Sequence, residues 1–239
     1  MTPAFREIWV YLAATPLLWL SATLLAYWGA ERIYQRFGQM PLLNPVALSI
    51  AALVGVAWLS GTSYESYFDG AQFVHFLLGP AIVALAVPLY AHRRTIVRSI
   101  LPMAAALLAG SATAVISAVG IAAALGAGRE TLWSLAPKSV TAPVAMGIAE
   151  KLGGLPSLAA VLVIATGITG AVVATPLLNA LGISDWRARG FGVGIAAHGI
   201  GTARAFQVNE VAGTFAGIAM GLNALLTALL APLLSAALG

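Results

Sequence analysis

Two polar interruptions in apolar sequence, KSVTAPVA (138–145) and HGIGTARAF (198–206), decide how this chain is expected to fold. Between them they carry proline, glycine, hydroxyl groups and cations. In a bilayer, backbone that leaves a helix survives only where protein or a water-filled cavity satisfies its polar groups. The two stretches therefore predict broken helices at membrane depth, and both are candidate elements of a functional site.

The composition of the surrounding chain is that of a membrane protein. Hydrophobic residues make up 60% of the 239 residues and charged residues only 8%, whereas an average soluble domain is about 25% charged. We predict an all-α polytopic membrane protein that forms one transmembrane domain, residues 1–239. The net charge of +4 comes from cations scattered among short loops, which the positive-inside rule explains better than nucleic-acid binding.

Residues and motifs that many enzymes and metal sites require are missing from the sequence. There is no cysteine, which excludes disulfides, thiolate catalysis and cysteine-ligated metals. Neither the HExxH pattern of zinc proteases nor the GxSxG elbow of hydrolases occurs. We therefore expect neither an enzyme nor a bound cofactor or metal.

The apolar sequence divides into about eight segments, some of which are too short for a plain crossing. Pro45, Pro80 and Pro143 lie at or near the starts of segments or inside them and are expected to break helices, as are Gly199 and Gly201. Interruptions in both halves of the chain are typical of transporters built from an inverted repeat, here with halves at about 8–127 and 132–239. The predicted segments are 8–30, 42–60, 71–91, 99–127, 139–152, 155–182, 190–206 and 211–238.

Basic loops predict the orientation in the membrane. Arg32 and Arg36 follow the first span, and a cluster at 93–98 follows two further crossings, so both are expected to be cytoplasmic. The intervening loop, with Glu65 and Asp69, is expected on the other side. Arg187 and Arg189 share the cytoplasmic face only if 139–152 is re-entrant, and face outward if that segment crosses fully.

The first interruption has the parts of an anion site. A proline at 143 favours the start of a helix, and Ser139 and Thr141 can cap its first turn. The positive end of the helix dipole, together with Lys138, would attract an anion. The alternative is a proline-kinked helix whose hydroxyls only satisfy the kink.

The second interruption offers an arginine at membrane depth. Arg204 suits bidentate binding of a carboxylate, with Thr202 beside it. The alternative is a structural ion pair with Glu210 or Glu150, or an arginine that reaches the interface. His198 is either a structural histidine or, together with Glu210, part of a proton- or ion-coupling group.

Five stretches beyond the first helix carry specific motifs: PLLNPVALSI (41–50), FLLGPAIVALAVPLY (76–90), LAPKSVTAPVAMGIAEKLGGLPSLAAV (135–161), ARGFGVGIAAHGIGTARA (188–205) and TALLAPLL (227–234). In combination they resemble the LrgB/CidB family of bacterial inner-membrane proteins, and the resemblance covers most of the chain beyond the first helix. One local departure is Ala142, where the family usually has threonine.

The resemblance implies two different functions. Some members are described as antiholin-like or holin-like modulators of murein hydrolase export and autolysis, acting with a small LrgA/CidA-type membrane partner. Others, such as the plastid glycolate/glycerate translocator, move small carboxylates, and pyruvate uptake is linked to bacterial pairs. Because two broken helices with cations at depth suit a carrier better than a pore, we expect a secondary transporter of small monocarboxylates, forming a homo-oligomer in the bacterial inner membrane.

The predicted substrate site combines residues from both halves of the chain. Arg204 is expected to hold the carboxylate, with the polar groups of the two interruptions around it and one residue from the first half. The expected substrate-binding residues are Arg204, Thr202, Lys138, Ser139, Thr141 and Asn44.

Overall fold

The computed structural model describes residues 16–77, 80, 83–84 and 86–238, and all of its regular elements are helices. The prediction of an all-α protein is confirmed for these residues. The chain divides into two compact units, Met1–Ala86 and Val87–Gly239. The helices are α1 (Pro16–Arg36), a short 3-10 helix (Pro41–Leu43), α2 (Pro45–Ser60), α3 (Tyr64–Phe76), α4 (Ala86–Ala91), α5 (Arg93–Arg98), α6 (Ile100–Ala124), α7 (Arg129–Leu135), α8 (Ala142–Leu152), α9 (Pro156–Ala180), α10 (Trp186–Val208) and α11 (Glu210–Leu238).

In the first unit, α1 packs against α2 and α3. Trp19 of α1 is buried and meets the Tyr67 ring of α3 edge-on, with 5.5 Å between ring centroids. Helix α2 begins where Asn44 accepts hydrogen bonds from the Val46 and Ala47 amides, at 2.9 and 3.2 Å. Asn44 is therefore an N-cap followed by proline at the first helical position, a strong start signal.

In the second unit, the long helices α6, α9 and α11 form the frame in which the two shorter, interrupted segments lie. These three are, among the described residues, the helices long and apolar enough to cross a membrane; the qualifying ranges are Ile100–Ala124, Pro156–Ala180 and Glu210–Leu230. The predicted eight segments and the inverted repeat stay predictions. The expected break at Pro80 also stays one, since residues 78–79 and 81–82 lie outside the described part of the chain.

The closest helix crossing in this unit is that of α10 over α11. A Cβ added at Gly190 or Gly194 would collide with the carbonyl oxygens of Ala212 and Ala216 respectively. Glycine at these two positions lets the helix axes approach, as in membrane helix pairs that use small residues one turn apart. Phe215 and Ile195 then fill the buried core beside this crossing.

Candidate functional site

The first interruption forms a buried, non-helical link between α7 and α8, residues 136–141. Pro143 stands at the second position of α8, where its missing N–H is not needed. Thr141 occupies the N-cap position, yet its side chain accepts no capping hydrogen bond. The expected cap is therefore wrong for Thr141, and this hydroxyl does not satisfy the first turn.

Helix α8 is too short to span a bilayer. Its 11 residues correspond to about 16 Å, against a hydrocarbon core of about 30 Å. Ser134 ties the near end of the link to the start of α9, because its hydroxyl accepts from the Leu155 amide at 2.7 Å. A Cβ on Gly154 would lie 2.7 Å from the Ser134 nitrogen, so the chain can return here only through glycine. The geometry favours a re-entrant segment over a full crossing.

The second interruption lies inside α10, at Ala197 and His198. Their φ/ψ angles are −128°/15° and 41°/−136°, neither of which is helical. We expected Gly199 and Gly201 to make the break, but both continue the helix beyond it. A Cβ on Gly201 would lie 2.6 Å from the Ala197 Cβ. Gly201 therefore provides space for the bent chain, and its own backbone is helical.

His198 is held at the break by its side chain and its carbonyl. The ring Nε2 lies 2.9 Å from the Val163 carbonyl oxygen of α9. The Thr202 hydroxyl donates to the His198 carbonyl at 2.8 Å. A Cβ on Gly167 would lie 2.6 Å from the His198 ring, so glycine on α9 makes space for it. These contacts hold a residue in a backbone conformation that costs of the order of 1–3 kcal/mol outside glycine.

Asn223 of α11 connects the two interruptions and is 1% exposed. Its Nδ2 donates to the Ser139 carbonyl at 3.2 Å and to the Ile195 carbonyl at 3.1 Å. Its Oδ1 accepts from the Ser111 hydroxyl at 2.5 Å, and the Thr227 hydroxyl lies 3.5 Å away. A carbonyl of the non-helical link and a carbonyl beside the break in α10 thus share one donor inside the protein. The sequence analysis missed this residue, although a lone asparagine in an apolar helix was a signal for it.

A cavity of about 940 Å³ opens between α6 and α10. It exists because small residues line it on both helices, including Ala109 and Gly110 on α6 and Gly192 and Ala196 on α10. Its wall is mainly apolar. The uncharged polar side chains in it are those of Ser99, Thr113 and Ser139, of which Ser139, from the first interruption, is buried. The lining residues are Arg98, Ser99, Pro102, Met103, Ala106, Ala109, Gly110, Thr113, Ala114, Lys138, Ser139, Asp185, Arg187, Ala188, Phe191, Gly192, Ile195, Ala196 and Phe215.

Lys138 brings a positive charge to this cavity. Its Nζ donates to the Ser139 hydroxyl at 3.2 Å. Among the described residues no carboxylate forms a salt bridge with it. An ammonium ion in a mainly apolar wall without a carboxylate partner has two or more donor positions available for an anion. Lys138 and its neighbour Ser139 both line this cavity, and their role in binding a substrate stays a prediction.

Three charged residues line the cavity towards the loops that precede α6 and α10. Arg98 ends α5, and Arg187 pairs with Asp185 in an exposed ion pair. The Arg187 guanidinium holds the pKa of Asp185 down at about 2 through its side-chain hydrogen bonds. Because this pair cancels, the charges lining the cavity leave Arg98 and Lys138 in excess, and the cavity favours anions.

The remaining predicted residues do not line this cavity. Arg204 lines a separate cleft of about 20 Å³, together with Trp186 and Arg189. The Thr202 hydroxyl is used within α10, as described above. Glu210 is exposed in the first turn of α11, and Asn44 caps α2 in the first unit. Arg204 and Lys138 were expected to form one binding site, but within the second unit they line different pockets. The ligand roles of these residues stay predictions.

Comparison with known proteins identifies relatives along nearly the whole chain. The model of the LrgB-like family matches residues 23–237. The uncharacterized protein YwbG of Bacillus subtilis is 38% identical over 215 residues, covering 90% of this chain and 95% of the relative. Holin-like protein CidB of Staphylococcus epidermidis is 30% identical over 224 residues, 94% of this chain and 96% of the relative. Holin-like protein CidB of Staphylococcus aureus is 29% identical over 218 residues, 91% and 95% of the two chains. No solved structure matches significantly.

These matches establish what the sequence motifs indicated. The chain belongs to the LrgB-like family, and the resemblance stated above is confirmed. With its apolar helices, it is a membrane protein.

Proposed function

We propose that this LrgB-like protein is a multi-pass protein of the bacterial inner membrane that transports small monocarboxylates such as glycolate, glycerate or pyruvate. The observation that carries the proposal is Lys138, a cation in the wall of a mainly apolar cavity that forms no salt bridge with any carboxylate in the described part of the chain. A cation at membrane depth is costly and is kept where it meets a substrate, an ion or a partner group. Lys138 therefore takes the role that the sequence analysis gave to Arg204.

The lining of the cavity favours one carboxylate over two. The deep end offers one ammonium group and the Ser139 hydroxyl, while the remaining wall there is largely alanine, glycine, methionine and phenylalanine. A second carboxylate beside Lys138 would have no second cation there, because the other excess cation, Arg98, lies at the mouth of the cavity, and an unpaired charge against an apolar wall is unfavourable. The small organic part of a monocarboxylate, by contrast, can contact the apolar wall.

The positive loops support entry of the substrate from the side on which Arg98 and Arg187 lie. Helices α6 and α9 are each long enough to cross, while α8 is not. If α6 and α9 cross and α8 is re-entrant, Arg98 and Arg187 share one face, and the positive-inside rule favours the cytoplasm for that face. An electropositive mouth raises the local concentration of anions.

The test is uptake of radiolabelled acids into proteoliposomes that contain the purified protein, alone and with a small LrgA/CidA-type partner. We expect saturable uptake of at least one two- or three-carbon monocarboxylate, and much weaker uptake of succinate. Absence of saturable uptake in both formats, across the whole panel, would reject transport.

A second candidate function rests on the names of two relatives. Both staphylococcal proteins are described as holin-like, which supports a regulator of murein hydrolase export and autolysis that assembles with a small membrane partner. A regulator of this kind needs apolar packing faces and has no use for Lys138 in a cavity. Lysis control that is unchanged by Lys138→Gln, in a protein without uptake, would favour this candidate. In either function we expect a homo-oligomer and no enzymatic activity.

A further inference from the structure

Asn223 lies where three parts of the second unit meet. Its side-chain amide contacts the link before α8, the first half of α10 and helix α6, through Ser139, Ile195 and Ser111. Within its own helix the Asn223 side chain meets only the Thr227 hydroxyl among the described contacts, at 3.5 Å, and its other neighbours along α11 are mainly apolar or small. A buried asparagine is costly unless its hydrogen bonds are made, and here both ends of the amide have partners.

The two N–H groups of the amide make the connection between the interruptions. One reaches the Ser139 carbonyl and the other the Ile195 carbonyl, at 3.2 and 3.1 Å. Ile195 lies two residues before the break in α10. A single planar group therefore fixes the distance between the polar link and the broken helix. The Ser111 hydroxyl donates to Oδ1 and orients the amide, but it contacts neither of the two carbonyls through this bond.

Lys138 depends on this tie through its neighbour. Its Nζ donates to the Ser139 hydroxyl, and the Ser139 carbonyl is held by Asn223. Ile195 and Ala196 also line the cavity and belong to the α10 segment that Asn223 holds. The Asn223 side chain thus connects the link that carries the cation to a second part of the cavity wall.

We propose that Asn223 is a positioning residue of the carboxylate site, which holds Lys138 and Ser139 in register with the broken helix α10. This inference rests on the proposed function for its effect on uptake, but the geometry it concerns exists without substrate. Asn223 does not line the cavity, so it acts through Ser139 and Ile195 and not by contact with the acid. Displacement of a binding group by about 1 Å is enough for large losses of function.

The experiment measures the position of the link without relying on transport. Because the chain contains no native cysteine, Ser139→Cys gives a single thiol beside Lys138. A small hydrophilic methanethiosulfonate modifies this thiol, and the rate of modification is measured in the Ser139→Cys protein. It is compared with the rate in the same protein carrying one further substitution: Asn223→Leu, Asn223→Gln, Ser111→Ala or Asn179→Leu. Asn179 is an exposed asparagine in the last turn of α9 and serves as the matched control.

We expect Asn223→Leu to raise the modification rate roughly tenfold, because both carbonyls lose their donor. Asn223→Gln keeps the amide on a longer stem and should restore part of the native rate. Ser111→Ala keeps both N–H donors and should stay within about threefold, and Asn179→Leu should have no effect. In otherwise native protein, Asn223→Leu should also raise the KM for uptake roughly tenfold with a smaller change in kcat.

Modification rates within twofold of the native one in Asn223→Leu would overturn the proposal. If that variant is not recovered as monodisperse protein, Asn223→Gln carries the test, and a native rate at the thiol together with a native KM would overturn it. Failure of the unmodified protein to take up any acid would defeat the proposed function alone, since the thiol rates still decide whether Asn223 holds the link.

Discussion

The two interruptions of this protein break the helical backbone in different ways. The link at 136–141 leaves a cation and a hydroxyl facing a cavity, with Pro143 starting the next helix behind it. At the break at Ala197 and His198, the polar side chains bind other parts of the protein. The His198 ring and the Thr202 hydroxyl both contact backbone carbonyls.

The difference shows which kind of break can serve a ligand. A break made by a proline and a buried link leaves side chains available, whereas a break made by a strained residue requires its side chains to hold the strain. We therefore assign ligand contact to the first interruption and a structural, wall-forming role to the second. Asn223 joins them, so that the second interruption supports the first.

The largest expected effect is that of Lys138→Gln. The change removes the charge from the cavity and should weaken binding of a monocarboxylate by about 1.5–3 kcal/mol, a 10- to 150-fold rise in apparent Kd. The measurement is the concentration dependence of uptake into proteoliposomes. Lys151→Gln, at the exposed end of the same segment, is the matched control and should stay within twofold. Equal effects of the two variants would contradict the assignment of ligand contact to Lys138 in the first interruption.

Filling the cavity from the α10 side should have the next largest effect. Gly192 lies in helical backbone, and a Cβ there meets no atom within 4 Å, so Gly192→Leu places a side chain in the cavity without disturbing the packing. We expect uptake to fall at least about tenfold while the protein stays folded, because the volume available to the acid is lost. Gly120→Leu, also at an open helical position on α6, is the control. Normal uptake by Gly192→Leu would show that the acid does not use this cavity.

A stability measurement can sharpen the account of the second break. His198 has a φ of 41°, which strains any residue except glycine. His198→Gly relieves this strain and His198→Ala keeps it, while both variants lose the contacts of the imidazole ring. His198→Gly should therefore be more stable than His198→Ala by about 1 kcal/mol, the reverse of the ordinary order in a helix. Thermal unfolding in detergent measures the difference. Ala203→Gly, at an exposed helical position, should show the ordinary order, and a less stable His198→Gly would contradict the strained break.

The smallest effect is expected at the mouth of the cavity. The pKa of Asp185 is lowered to about 2 from about 4 in the unfolded chain. Its ion pair with Arg187 therefore contributes fully above pH 4 and is lost as the pH falls from 4 to 2. Because the pair is exposed, Asp185→Asn should shift the melting temperature at pH 7 by less than about 2 °C. A larger shift, or loss of stability already between pH 7 and 5, would mean that the mouth matters more than the deep site.

Much of the fold could be predicted because membrane insertion depends on long apolar runs. Segments 99–127 and 155–182 correspond closely to α6 and α9, and the short polar segment at 139–152 contains the 11-residue helix α8. The position of the second break was wrong by a few residues. Sequence reasoning assigns freedom of the backbone to glycine, whereas here the packing of His198 against α9 imposes the unusual conformation.

The site was harder to predict because it depends on contacts between distant residues. Lys138 and Ser139 were found from a local pattern, but Asn223 is 84 residues away from Ser139 along the chain. Arg204 attracted attention as a buried cation in a glycine-rich motif, yet which helix face it occupies depends on the bend at His198. Composition and spacing do not determine that bend, so they could not distinguish the two cations.

The most direct test of the account is whether a monocarboxylate protects the cavity, and whether protection needs Lys138. A cysteine introduced by Ala196→Cys faces the cavity, and its modification by a thiol reagent is measured with and without saturating pyruvate. We predict that pyruvate slows modification at least about fivefold, that Lys138→Gln abolishes this protection, and that Arg204→Gln preserves it. Protection that survives Lys138→Gln but disappears with Arg204→Gln, or the absence of protection by glycolate, glycerate and pyruvate alike, would contradict the assignment of the carboxylate site to Lys138.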